Sequence, residues 1–329
     1  MQEHDRLRVA VTRPSLPGDA LEKLAAEHEL VRRESHTPAS EDEVVELVRG
    51  ADALVAVGSD QVTAEVAKAG EDLRIVGNFG AGVDNYDLPA FTARGIPVGN
   101  TPGAVTEATA DMTWLLLLGV ARRLPEALTA VRKGEWPGKD LFGLLGTELS
   151  EATLGIVGYG EIGKAVARRA HGFGMRVRHH ARTAVSDELS TWVPFEELLS
   201  VADVVTLHTP LTEETRGMIG ADELEAMKPS AILVNTARGP VVDHRALVDA
   251  LRSGAIGGAG LDVTDPEPLP PEHPLLGLPN CLVVPHLGTA TLRTRSRMAE
   301  RCMANVRAGL AGERLRWCAN PEVYDGPRR

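Results

Sequence analysis

The stretch that most constrains this chain is Thr153-Leu-Gly-Ile-Val-Gly-Tyr-Gly-Glu-Ile-Gly163. A short apolar run (Leu154, Ile156, Val157) ends in Gly158-x-Gly160-x-x-Gly163, and an alanine-rich amphipathic stretch, Lys164 to Ala170, follows. Strand, glycines, helix is the order of a dinucleotide-binding turn. Gly158 permits the tight turn, Gly160 lets backbone approach a pyrophosphate, and Gly163 lets the helix sit close on the strand. The free N–H groups at the helix start then face the anion. Three turn glycines without a ligand are the bland alternative, and the rest of the chain has to choose.

A chain of 329 residues exceeds a typical single core, so two domains are expected, with 43% hydrophobic residues to fill them. The net charge of −11, with no basic stripe, argues against nucleic acid and against an anionic membrane surface. Met-Gln-Glu-His-Asp-Arg at the N-terminus has no apolar core of a signal peptide, and the longest apolar run, Met112 to Ala121, is too short to span a bilayer. A cytoplasmic protein is expected. Cys281, Cys302 and Cys318 form neither an even set nor a C-x-x-C pair, which favours reduced thiols over disulfides or zinc. No metal site is expected either, since His179 and His180 on a strand point to opposite faces.

Residues 7 to 100 alternate between strand and helix patterns: β at Leu7–Thr12, Ala53–Val57 and Arg74–Asn78, helix at Asp19–Glu29, Glu41–Arg49 and Thr63–Ala69. Such alternation implies a parallel, helix-covered sheet. A long helix, about Val105 to Arg123, is apolar nearly all round at Trp114–Leu118 and must be buried on most sides. It either bridges two domains and docks against a second subunit or is an internal core helix. Lys133-Gly-Glu-Trp-Pro-Gly138 reads as a loop.

From residue 153 six strands are expected: Leu154–Val157, Arg176–His180, Val204–His208, Ala231–Asn235, Gly258–Asp262 and Leu282–Pro285. Ligands of open parallel sheets bind beyond the carboxyl ends of the strands. A final helix, Ala290 to Gly312, carries Arg293, Arg297 and Arg301 on a solvated face and returns to the first domain. The expected architecture is therefore α/β, with a discontinuous first domain (1–102 and 290–329) and a dinucleotide-binding domain (103–289), two doubly wound parallel sheets joined by a hinge.

Beyond the strand ends stand one guanidinium, one carboxylate in a proline-rich loop and one imidazole. Arg238, in Asn235-Thr-Ala-Arg-Gly-Pro240, offers a fork of donors for a carboxylate or a polarised carbonyl. His286, in Pro285-His-Leu-Gly288, is a general acid/base near neutral pH. Glu267, in Asp262-Val-Thr-Asp-Pro-Glu-Pro-Leu-Pro270, would raise the imidazole pKa if it faced the ring. Asp265 competes for that place, and spacing alone does not choose. Singly, each residue has a structural explanation; jointly, on the rim of a dinucleotide loop, they form a catalytic constellation.

The chain resembles the D-2-hydroxyacid dehydrogenases, in their glyoxylate/hydroxypyruvate reductase branch, over almost its whole length. The resemblance is carried by Gly82-Val-Asp-Asn85, Asn100-Thr-Pro-Gly103, Thr106-Glu-Ala-Thr-Ala-Asp111, Leu154-Gly-Ile-Val-Gly158, Leu207-His-Thr-Pro-Leu211, Met227-Lys-Pro229, Val234-Asn-Thr-Ala-Arg-Gly-Pro-Val-Val-Asp243, Gly260-Leu-Asp-Val263 and Pro285-His-Leu-Gly288. It implies a Rossmann cofactor domain and a flavodoxin-like substrate domain. It also implies that Arg238, Glu267 and His286 are the catalytic trio, which favours Glu267 over Asp265. Backbone N–H groups at Ala81 and Gly82 would hold the substrate carboxylate beside Arg238 and His286, and Asp262 would orient the nicotinamide amide. Cofactor contacts then fall at Thr109, Gly158, Tyr159, Gly160, Glu161, Ile162, Gly163, Ala181, Arg182, Thr183, Thr209, Pro210, Thr215, Thr236, Ala237, Arg238, Asp262, His286 and Gly288. The family usually forms a homodimer through the long helix near residue 110. Two departures touch the pocket wall: Lys139-Asp140 stand where the branch commonly has a tryptophan, and Phe79-Gly-Ala-Gly82 has no bulky residue at its centre.

The tip of the second strand chooses the cofactor. An NAD enzyme needs a carboxylate there for the ribose hydroxyls, about 20 residues past the glycine loop. Here His180-Ala181-Arg182-Thr183 stands instead, and the first carboxylate is Asp187. A guanidinium and a hydroxyl suit a 2′-phosphate, so NADP(H) is expected over NAD(H), unless Arg182 is a plain surface arginine. The expected reaction is reduction of a small 2-oxo acid, glyoxylate or hydroxypyruvate first, to the D-2-hydroxy acid. Phosphoglycerate- or D-lactate-type dehydrogenases and a non-enzymatic nucleotide-sensing corepressor on the same fold are the rivals.

Overall fold

The computed structural model describes residues 6–325; the first five residues of the charged N-terminal run and residues 326–329 lie outside them. The chain alternates strictly at first: β1 (Arg8–Val11), α1 (Ala20–Glu27), β2 (Glu29–Arg32), α2 (Glu41–Val48), β3 (Ala53–Val57), α3 (Ala64–Ala69), β4 (Ile75–Phe79), α4 (Leu88–Ala93) and β5 (Val98–Gly99). Helices α5 (Thr106–Ala121) and α6 (Leu124–Lys133) follow. Then come β6 (Thr153–Val157), α7 (Glu161–Gly172), β7 (Arg176–His180), β8 (Thr191–Trp192), α8 (Phe195–Val201) and β9 (Val204–Leu207). The remainder is α9 (Ala221–Ala226), β10 (Ile232–Asn235), α10 (His244–Ser253), β11 (Gly258–Leu261), β12 (Cys281–Val283) and α11 (Leu292–Leu310).

Two compact units result among the described residues, one of 6–105 with 290–325 and one of 106–289. The first holds a five-stranded sheet in the order β2-β1-β3-β4-β5, the second a seven-stranded sheet in the order β12-β11-β10-β9-β6-β7-β8. Every pairing within them is parallel. The first order is that of a flavodoxin-like sheet; the second reverses between β6 and β9, the switch point of a Rossmann sheet. Seven strands, not six, build the second sheet: β8 is a two-residue edge strand, too short for an alternation to show. Leu124–Lys133, which the sequence pattern does not single out, is α6, opened by Pro125 in its first turn and closed by Gly134 in the left-handed region.

Alternation along the strands sorts the core of the second unit. Leu233, Val205 and Leu261 face one cluster, whereas Ile232, Val234, Val204 and Ile156 face the other, which α5 and α7 cover. Leu116 and Leu117 of α5 are fully buried, so it is largely a core helix, although Leu115 faces outward. Trp114 stacks on Phe173 at 4.4 Å. In the first unit, α11 lies on β4 and beside α1. Arg301 departs from the solvated face expected for it: its guanidinium sits 4.9 Å over the Trp317 ring and donates to the Pro102 carbonyl.

One buried ion pair organises the carboxyl ends of β1 and β3. Arg13 Nη2 stands 2.8 Å from Asp60 Oδ1, with side chains 7% and 0% exposed. Asp60 also accepts from Thr12 Oγ1 (2.6 Å), Ala39 N (2.8 Å) and Val57 N (2.8 Å), and its carbonyl accepts from Asn85 Nδ2 at 2.6 Å. Removing one member of such a pair strands the other charge without water. Asp60→Ala should therefore lower stability by about 3–5 kcal/mol, read from the urea unfolding curve; a loss inside the error of that curve would show that the pair holds nothing together.

Candidate active site

The glycine loop joins β6 to α7 at the switch point. Gly158 has φ +93°, and a Cβ there would lie 2.6 Å from the His208 carbonyl carbon, so only glycine turns the chain beside β9. A Cβ on Gly163 would lie 2.4 Å from Gly158 O, which fixes the close approach of helix to strand. A Cβ on Gly160, in contrast, would meet nothing within 4 Å. Gly160 also caps α7, so no side chain covers the first N–H groups of that helix. Tyr159 is buried and stacks on the His179 ring at 3.9 Å. The His179 and His180 rings have separate partners, Ser190 Oγ and the Val193 carbonyl.

Around this loop the polar side chains fasten turns. Asn235 at the end of β10 accepts from Ala237 N (3.0 Å) and donates to Arg238 O (2.8 Å), setting the Thr236-Ala237-Arg238 turn in place. Thr236 shares a hydrogen bond of 3.0 Å with Thr113 of α5. Thr215 closes the loop after β9 by donating to Pro210 O at 2.7 Å and accepting from Thr212 N at 2.8 Å. Thr209 Oγ1 is buried and has no partner among the described residues. Glu161 accepts from Thr106 Oγ1, and Ile162 packs half-buried against the α5 side of the sheet. A bare glycine backbone, an open helix N-terminus and an orphaned threonine hydroxyl fit a dinucleotide pyrophosphate and its ribose.

At the tip of β7 Ala181 is half-buried, while Arg182 and Thr183 are exposed and hydrogen-bond no other described residue. Glu214, exposed, has its pKa lowered by the Thr212 hydroxyl and its own backbone, with a smaller contribution from the charge of Arg182. Asp187, the first carboxylate past the strand, accepts from Leu189 N at 2.8 Å within its own loop.

His286 Nδ1 and Glu267 Oε1 stand 2.5 Å apart, both side chains somewhat under half exposed (46% and 42%). Asp265 is not the partner; its N–H points to His244 Nδ1 at 3.3 Å. Glu267 lies between two cis X-Pro bonds, Asp265-Pro266 and Glu267-Pro268. His286 is held in the left-handed region, φ 51°, where its N–H reaches both Asp262 O (2.9 Å) and Val284 O (3.0 Å). Asp262, 2% exposed, takes Leu287 N on one carboxylate oxygen at 2.5 Å and Gly288 N on the other at 2.8 Å. Thr109 is next to the same turn, its Oγ1 3.6 Å from where a Gly288 Cβ would stand. Asp262 thus clamps the imidazole turn, a role that its 25-residue distance from Leu287 hides in the sequence.

The imidazole pKa is raised, first by the hydrogen bond to Glu267; burial opposes this, the charges of Glu267 and Asp262 add to it, and Arg238 lowers it. Arg238 is therefore close enough for its charge to be felt at the ring. Its Nη1 donates to the Ala237 carbonyl at 2.8 Å. With Nδ1 given to Glu267, the ring presents Nε2 as its proton-carrying atom. Ala81 and Gly82 belong to the other unit, in the half-buried loop after β4.

A family model described as "D-isomer specific 2-hydroxyacid dehydrogenase, NAD binding domain" matches residues 114–288. The chain is 47% identical over 321 residues to a glyoxylate reductase of Korarchaeum cryptofilum (strain OPF8), covering 96% of each chain. It is 44% identical over 326 residues to a glyoxylate reductase of Thermococcus onnurineus (strain NA1), covering 97% of each. Among solved structures it is similar to the TT0316 protein of Thermus thermophilus (TM-score 0.90, 48% identity, 95% of this chain and 100% of that one). It is also similar to an NADPH-dependent glyoxylate/hydroxypyruvate reductase of Sinorhizobium meliloti in complex with NADP and malonate (TM-score 0.87, 34% identity, 99% of each).

If the Glu267 contact raises the imidazole pKa, its stabilising effect is complete below the unfolded histidine pKa and is lost as pH rises through the folded value. An NMR titration of the His286 ring should place its midpoint above that of an ordinary histidine, and Glu267→Gln should bring it down; an unmoved midpoint would show the pair to be electrostatically idle.

Proposed function

The chain belongs to the D-isomer-specific 2-hydroxyacid dehydrogenase family of oxidoreductases, and from that premise we propose that it reduces glyoxylate and hydroxypyruvate with NADPH. The observation that carries the reading is the 2.5 Å Glu267–His286 pair on the same sheet edge as the Gly158–Gly163 loop. The dinucleotide, when bound, supplies the hydride that reduces the substrate carbonyl. His286 Nε2 delivers a proton to the carbonyl oxygen as negative charge develops there, and Glu267 at Nδ1 stabilises the imidazolium until that moment. Arg238 grips the substrate carboxylate or the polarised oxygen, and the N–H groups of Ala81 and Gly82 hold the carboxylate. Hydroxypyruvate gives the D-2-hydroxy acid; glycolate has no such stereocentre.

NADPH is favoured at Ala181-Arg182-Thr183, a strand tip with no acid of its own to repel a 2′-phosphate, where a guanidinium and a hydroxyl that hydrogen-bond no other described residue stand exposed. The working form is a homodimer: Leu128, Val131, Trp136, Leu141, Phe142 and Leu145 expose a run of apolar surface along α6 and the loop after it, which a second copy would cover.

Absorbance at about 340 nm, the reduced nicotinamide band, should fall when protein, NADPH and glyoxylate are mixed, and both His286→Ala and Glu267→Gln should lose most of that turnover. A charge-assisted contact is worth about 1.5–3 kcal/mol, so kcat/KM should favour NADPH over NADH by about 10- to 100-fold, and Ala181→Asp should shift the ratio toward NADH. Equal kcat/KM values would end the cofactor proposal, and no turnover of any 2-oxo acid with either nucleotide would end the enzymatic one. Sedimentation should give twice the mass of the chain, with Phe142→Asp dissociating the pair; a wild-type monomer would refute the dimer.

A further inference from the structure

The first three residues of the loop after β4 are tied down by their carbonyl groups. Gly80 O accepts from Thr101 N at 2.9 Å, Ala81 O from Asn100 Nδ2 at 2.8 Å, and Gly82 O from Asn78 Nδ2 at 2.7 Å. In a trans peptide the C=O of one residue and the N–H of the next point in opposite directions. The three N–H groups that follow, those of Ala81, Gly82 and Val83, are thereby turned away from their anchors, and none has a hydrogen-bond acceptor among the described residues. All three residues are partly exposed. Successive N–H groups left open in this way form an anion-binding concavity.

Resting on the function proposed above, we infer that Asn78 and Asn100 are positioning residues for the substrate carboxylate, and that Val83 N–H joins Ala81 and Gly82 as a third donor to it. The Asn78 side chain carries a second sign of this task. It is fully buried, and its Oδ1 has no partner among the described residues. An unpaired buried carbonyl is costly, and a leucine of similar volume would avoid that cost. The amide is kept for its N–H end, which Gly82 O requires because a carbonyl only accepts. Gly80 completes the device: a Cβ there would press on Asn78 Oδ1 from 2.9 Å and push the amide off the Gly82 carbonyl. Asn100 is held in turn, its N–H on Trp317 O (3.2 Å) and its carbonyl under Asn305 Nδ2 (3.1 Å).

The test uses the full chain saturated with NADP, and oxalate, a dicarboxylate that cannot accept hydride. In ¹⁵N-labelled wild-type protein, the amide resonances of Ala81, Gly82 and Val83 should shift on adding oxalate. Asn100→Asp, which keeps the size and removes the donor, should abolish the shifts at the same oxalate concentration. In turnover, Asn100→Asp and Gly80→Ala should raise the KM for glyoxylate by about tenfold or more, with kcat changed far less and NADPH binding within about twofold of wild type. Asn78→Ala is expected to do the same; if that buried variant fails to fold, the other two carry the test. Unshifted wild-type amides, or folded Asn100→Asp and Gly80→Ala proteins with wild-type KM, would overturn the inference. Amides that respond to oxalate, in wild type but not in Asn100→Asp, in a protein that reduces no 2-oxo acid would instead uphold the carboxylate site and reject the proposed reaction.

Discussion

The candidate catalytic geometry depends on one carboxylate that never meets the imidazole it serves. Asp262 takes the N–H of Leu287 on one oxygen and that of Gly288 on the other, and its own carbonyl takes the N–H of His286. Together these contacts keep His286 at φ 51°, a conformation that costs a non-glycine residue about 1–2 kcal/mol. Released from them, the turn would relax to an extended or helical backbone and swing the ring off Glu267. Burial raises the Asp262 pKa, while the two N–H groups lower it. The charge stays useful only because donors on both sides replace the water it has lost.

The same device recurs at the carboxyl ends of both sheets. Asn235 fastens the Arg238 turn, Thr215 closes the loop after β9, and Asp60, Asn78 and Asn100 do equivalent work in the first unit. In each case a short polar side chain grips the backbone of a loop or turn. Short side chains suit this because little rotamer freedom is lost in holding them. The parallel sheets supply rigid strand ends, and the Asx and hydroxyl contacts turn those ends into sites.

Much of this was legible in the residues. The apolar run, the three glycines and the amphipathic helix specify β6 and α7 because each local rule there agrees with the others. The strands buried on both faces also announce themselves as β-rich runs such as Ala53–Val57. What stayed hidden is short or distant. The edge strands β5 and β8 have two residues each, and no periodicity can be read in two residues. Spacing left Asp265 and Glu267 equivalent, since only the path of the proline-rich loop decides which carboxylate reaches the ring. The Asp262 clamp joins positions 25 apart, and Asn78 reads as the polar end of a strand until the carbonyl it holds is seen. A polar residue at or just past the end of a strand, as at Asn235 and Asn100, was the local clue.

Helix α11 closes the first unit with residues that follow the whole second unit in the sequence. Arg307 binds Glu27 through two contacts of 2.7 and 3.0 Å, and Asn305 donates to the carbonyls of Asn100 and Trp317. During synthesis the five strands of the first sheet emerge early, yet the helix that covers β4 arrives only after the whole intervening unit has left the exit tunnel. The inserted unit holds all its own strands and helices and is free to fold first. Until then the residues before position 106 must wait without the helix that covers β4, a vectorial burden that follows from the insertion itself.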